Sequence, residues 1–141
     1  MKNSLSQAVV KKTSLVLFAL LAFVFVLWAQ NPPADSKVPP EAAAKQNPVK
    51  PSPETLAKAK KLYGIDCAMC HGKDGDGKGD MASDMKNVTD FTNPDALKGR
   101  TDGELFYVIR HGRGEMPPEG DRAKDDDIWQ LVNYIRSLAK K

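Results

Sequence analysis

At 141 residues, with 41% hydrophobic and 28% charged positions, the chain suits one small globular domain plus extensions, and its composition excludes fibrous and wholly disordered classes. The formal charge of +3 is misleading, because Lys2, Lys11 and Lys12 sit before an apolar run and the rest, from Asn31 onward, balances 18 basic against 18 acidic residues. Nucleic-acid binding therefore loses its main support: no net basic balance and no basic patch interleaved with aromatics remains.

Residues 1–30 begin polar and basic, and every residue from Leu15 to Ala29 is apolar. This pattern predicts a Sec-type export signal or a membrane anchor. Leu27 spoils a small-x-small cleavage site ending at Ala29, and Trp28 lies where an interfacial aromatic would sit. Retention as a membrane helix is the expectation. Either outcome places the remainder outside the cytoplasm, on the periplasmic side in a bacterium.

Residues 31–53 contain seven prolines and few large apolar side chains. Such a stretch buries too little surface to offset ordering entropy, so it reads as a semi-extended linker. The run Glu41-Ala-Ala-Ala-Lys45 is expected to form no more than a fleeting helical turn.

The folded domain is expected over residues 54–141. Ser52 is a suitable N-cap, Pro53 a suitable first helical residue and Glu54 a suitable charge for the positive helix end. Leu56, Ala59 and Tyr63 share one face, and Gly64 is read as the stop.

Next comes Cys67-Ala68-Met69-Cys70-His71, with the only two cysteines of the chain. Two thiols three positions apart on a helical turn face one side, as addition to the two vinyl groups of one porphyrin edge requires. The adjacent histidine is placed to give its imidazole to the iron. A disulfide, a redox dithiol and half a zinc site are the competing readings. A zinc site would want further ligands, and only His111 remains after the motif. A thioredoxin-like site would want a βαβ context, and no strand pattern is present.

Residues 72–80 are Gly/Asp/Lys loop chemistry. Tested as a calcium loop from Asp74, the stretch fails at Lys78 and Met85, so it reads as a solvated loop. A capped helix is predicted from Thr101, where Thr101 and Glu104 make a capping box; Leu105, Val108 and Ile109 form its stripe and Gly112 its stop. The loop Gly112-Arg-Gly-Glu-Met-Pro-Pro118 presents Met116. A last helix is predicted from about Asp125, with Ile128, Leu131, Val132, Ile135 and Leu138 on one stripe and Trp129 and Tyr134 as core aromatics. Met69 and Met81 are expected to be packing or surface residues.

These pieces together resemble the class I (mono-haem) cytochrome c family over about residues 54–141. The resemblance rests on Leu62-Tyr63, Cys67-Ala-Met-Cys-His-Gly72, Thr101-Asp-Gly-Glu-Leu-Phe106, Met116-Pro117, and Trp129 with Leu131-Val-Asn-Tyr-Ile135, in that order. It implies an all-α fold whose first and last helices cross around one covalently bound haem c. It implies Cys67 and Cys70 as thioether sites, His71 as proximal iron ligand and Met116 as distal ligand, with His111 the rival for that last role. Small Ala59 stands where the family often has glycine at the helix crossing. Many members also have a proline soon after the motif whose carbonyl receives the proximal histidine's Nδ1–H. No proline lies between His71 and Pro94, so the orienting group is open.

The implied function is single-electron transfer without catalysis. The carrier would work between a membrane dehydrogenase or quinol-oxidising complex and a terminal oxidase or reductase. The alternatives are a cytochrome subunit of such a complex and a haem sensor or enzyme with a displaceable distal ligand.

Overall fold

The computed structural model describes residues 37–139. The expected membrane segment, residues 1–30, lies outside them. Among the described residues no helix is long and apolar enough to cross a membrane. The architecture is all-α: α1 Pro40–Ala43, α2 Pro53–Asp66, α3 Ala68–His71, a 3-10 turn Ala82–Asp84, α4 Asp102–His111 and α5 Asp125–Ser137. Among these residues there is no strand, and the one extended pairing is an isolated bridge between Arg113 and Met116.

The helix starts follow from their caps. Ser52 Oγ accepts from the Thr55 N–H at 3.1 Å while Thr55 Oγ1 accepts from the Ser52 N–H at 2.8 Å, with Pro53 in the first turn. Thr101 and Glu104 close the predicted box in the same reciprocal way, at 3.1 and 2.7 Å. Three acids, Asp125 to Asp127, fill the first turn of α5, where the helix dipole favours negative charge. Gly64 does not stop α2, contrary to the sequence expectation. The helix runs through it to Asp66, because a lone glycine is tolerated inside a helix whose neighbours hold it.

The core is α2 packed on α5, with α4 alongside. Ile128, Leu131, Val132 and Tyr63 are fully buried. Each such aliphatic side chain contributes roughly 1.5–3 kcal/mol of transfer free energy. Ala59 is buried in the α2 face, and further along Tyr63 meets Tyr134 edge-on at 5.2 Å. Phe106 of α4 stacks on Trp129 of α5 with ring centroids 4.0 Å apart.

Residues 37–53 depart from the expected linker. Val49 packs against the core, and Ala42 of α1 is buried. Asn47 donates from one amide group to the Trp129 carbonyl and to Asn133 Oδ1, both at 3.0 Å, and Asn133 returns a bond to the Val49 carbonyl at 2.8 Å. The Thr101 hydroxyl donates to the Ala43 carbonyl at 2.7 Å. Gly103 admits this approach: a Cβ there would lie 2.1 Å from the Ala42 oxygen. The segment is a strap along α4 and α5. Its polar anchors meet partners more than fifty positions away, so its proline content alone misleads.

Candidate functional site

The Cys67–His71 turn leaves α2 without a break. The Cys67 N–H still bonds the Tyr63 carbonyl at 2.9 Å, and the His71 N–H bonds the Cys67 carbonyl at 2.9 Å. Gly72, at φ +77°, ends the turn. The Tyr63 hydroxyl donates to the Gly72 carbonyl at 2.9 Å and pins that end to the core. Burial keeps this phenol protonated by raising its pKa.

Both thiols are free and half-buried. Burial, aided by the carboxylates of Glu119 and Asp66, pushes the Cys67 thiol up to about 12. A thiol so held stays neutral at physiological pH. That argues against a reactive dithiol, which needs a depressed pKa.

His71 is held on two sides. Its Nδ1 lies 3.3 Å from the Thr89 carbonyl, and its ring stacks on Phe91 with centroids 4.6 Å apart and planes 23° from parallel. A carbonyl can only accept, so Nδ1 carries the proton and Nε2 keeps a free lone pair. Burial lowers the imidazole pKa, which favours the neutral, ligating form.

The glycine loop after the turn folds back onto it. Gly77 N–H bonds the His71 carbonyl at 2.9 Å, Gly79 N–H the Cys70 carbonyl at 3.1 Å and Met81 N–H the Met69 carbonyl at 3.0 Å. A Cβ at Gly79 would lie 2.2 Å from the Met69 oxygen, so this approach requires glycine.

Met116 lies at the end of a tight turn. Its N–H and carbonyl pair with the carbonyl and N–H of Arg113 at 2.9 and 3.0 Å, and Gly112 and Gly114 take positive φ. The side chain is partly buried against the hydrophobic core that Cys67 and Ala68 also touch. His111, its rival, is exposed at the end of α4 against Tyr107. Met69 and Met81 are exposed, and Trp129 and Tyr134 are buried, as the sequence predicts. Sequence reasoning missed Thr89, Phe91 and Glu115. Thr89 acts through its backbone, which leaves no residue-type signal, and Phe91 lies in a loop without periodicity.

A haem c fits this donor set. Two thiols lie on one turn beside an imidazole with a free Nε2, and a thioether is held in a tight loop on the same core. Residues 54–135 match the family model described as cytochrome c oxidase, cbb3-type, subunit III. The chain belongs to this family. The cytochrome c domain is 32% identical over 86 residues to cytochrome c6 of Cladophora glomerata, covering 61% of this chain and 91% of the relative. It is 31% identical over 103 residues to the cbb3-type cytochrome c oxidase subunit CcoP of Rubrivivax gelatinosus, covering 72% of this chain but 30% of that subunit. Among solved structures it is similar to the Kuenenia stuttgartiensis reducing HAO-like protein complex. That match has a TM-score of 0.59 and 28% identity, over 66% of this chain and 47% of the other. Family and motif together make the domain a c-type haem electron carrier.

Proposed function

We propose that the protein carries one electron at a time on a single haem c and catalyses no reaction of its own. Cys67 and Cys70 would hold the group through thioethers, and His71 Nε2 and Met116 Sδ would hold its iron. When bound, haem c supplies a one-electron ferric/ferrous couple. The observation that carries this reading is the His71–Thr89 contact, which fixes the tautomer and leaves Nε2 for iron. Thr89 makes His71 a stronger donor, whereas a methionine sulfur favours the ferrous state and raises the potential. With His71 and Met116 both holding the iron, the bound group would offer substrate no open site.

The partners are a membrane dehydrogenase or quinol-oxidising complex on one side and a terminal oxidase or reductase on the other. The working location is the periplasmic face of the membrane, with residues 13–30 as an anchor. A role as the cytochrome subunit of an oxidase is a second reading, favoured by the family match to subunit III and by the similarity to CcoP. Expression with a cytochrome c maturation system and a reduced-minus-oxidised spectrum tests the first reading: an absent c-type α band would sink it. Co-purification with oxidase subunits from solubilised membranes would favour the second. Mass spectrometry of the mature chain tests the anchor; a soluble protein starting near Gln30 rules it out.

A further inference from the structure

Two loops carry the axial machinery, and one side chain joins them. Residues 81–91 supply the Thr89 carbonyl and the Phe91 ring that hold His71. Residues 112–118 supply Met116. The Lys86 backbone N–H donates to Glu115 Oε2 at 2.8 Å across a separation of 29 positions. The chain then reverses at Asn87, φ 59°, the one non-glycine residue among those described with positive φ. Asparagine tolerates this left-handed conformation better than most residues. Two residues later the chain reaches Thr89. Segment 88–90 packs closely on Gly77, where a Cβ would lie 3.2 Å from the Val88 oxygen and 3.4 Å from the Thr89 carbonyl carbon.

On the other loop, Glu115 immediately precedes Met116. The Met116 backbone is locked to Arg113 within its own turn, and the loop ends are tied to α4 by Gly112 N–H to the Val108 carbonyl and Glu119 N–H to the Ile109 carbonyl. The Glu115 carboxylate adds a tie from the tip of that turn to the facing loop. Movement of Met116 away from the centre of the site therefore pulls on the segment that holds His71.

The geometry points to Glu115 as a positioning residue: its bond to the Lys86 amide latches the distal loop to the proximal one, so one contact restrains both axial ligands. This rests on the reading of Met116 as distal ligand. Glu115 is exposed and touches neither reacting atom, so its effect is on ligand mobility rather than on the fold.

The test compares the full-length holoprotein with Glu115→Ala and Glu115→Gln. Carbon monoxide binding to the ferrous protein reports release of the methionine. Solvent exchange of the His71 Nδ1 proton, followed by NMR of the holoprotein, reports the other side. Loss of one charge-assisted hydrogen bond should speed carbon monoxide binding about five- to tenfold in Glu115→Ala and accelerate the proton exchange as well. Glu115→Gln keeps an acceptor oxygen and should stay within about twofold of wild type. Wild-type rates in Glu115→Ala overturn the latch. Equal effects of Ala and Gln overturn it too, because charge rather than the bond would then be responsible. Faster carbon monoxide binding with unchanged His71 exchange overturns the coupling. A wild-type ferric protein without a sulfur-to-iron charge-transfer band removes the Met116 reading and the latch with it, an outcome seen without any Glu115 variant.

Discussion

His71 Nδ1 lies 3.3 Å from the carbonyl oxygen of Thr89. The sequence offers no proline between His71 and Pro94 to do this, and a threonine carbonyl serves equally, because the acceptor is backbone. Gly77 sits under the segment that presents it, at φ +72° and with its own N–H on the His71 carbonyl. Gly77→Ala should cost about 1 kcal/mol or more through the unfavourable backbone conformation. It should also displace Thr89, weaken donation from His71 and raise the reduction potential. Voltammetry and thermal unfolding check the two effects; an unchanged potential in a folded variant would show that Thr89 does not tune the imidazole.

Met116→Ala should abolish the sulfur-to-iron charge-transfer band of the ferric protein, lower the potential and admit carbon monoxide. His111→Ala should leave all three unchanged, because that imidazole lies exposed against Tyr107. Survival of the band in Met116→Ala would assign the distal role elsewhere.

Haem should remain with the chain in denaturing electrophoresis. Cys70→Ala should keep it through one thioether, with the α band of the pyridine haemochrome moved to longer wavelength. The double variant Cys67→Ala, Cys70→Ala should lose haem stain and most cooperative unfolding, since a domain of this size has a marginal core without the porphyrin. A sharp native-like transition in the haem-free double variant would refute that dependence.

Ala59 is 2% exposed on the α2 face, in the same core as Leu131 and Tyr134. Ala59→Leu has no room and should destabilise by about 1–3 kcal/mol. For a domain of this size that corresponds to roughly 4–8 °C in Tm per kcal/mol. Ala59→Gly, by contrast, should cost about 1 kcal/mol through helix propensity. A leucine variant as stable as wild type would mean that the helices can separate freely.

The strap should be separable from the haem site. Asn47→Ala removes both bonds to α5 and should cost about 1–3 kcal/mol while exposing residues 37–50 to limited proteolysis. The visible spectrum should not change. Gly103→Ala should produce the same proteolytic pattern by pushing on the Ala42 carbonyl. Protection equal to wild type in both variants would show that these contacts do not hold the strap.

Much of the fold was legible because its signals are local. Ser52-Pro53 and the Thr101/Glu104 box fix two helix starts, and the spacing of Ile128, Leu131, Val132 and Ile135 fixes the face of α5. The Cys67–His71 turn was legible because thiol and imidazole chemistry resides in side chains. The strap was not. Asn47 and Asn133 are 86 positions apart, and nothing in either neighbourhood announces the other. Gly64 misled because glycine is compatible with both a helix end and an exposed helix interior, and the difference lies in what surrounds it. The Glu115–Lys86 contact was invisible because its donor is a backbone amide.

The strap also changes what any tether can do. Read as a free linker, residues 31–53 would let the domain travel about 70 Å at ~3.1 Å per residue. With the chain from Pro40 onward held against α4 and α5, only residues 30–39 remain between the apolar run and the folded part. Those can span no more than roughly 35 Å at full extension. If the N-terminal segment stays in the membrane, the domain is on a short leash: it works close to the bilayer and meets distant complexes by lateral movement of its anchor rather than by swinging. Donor and acceptor must then both present their redox groups near the membrane surface, within that reach of the anchor.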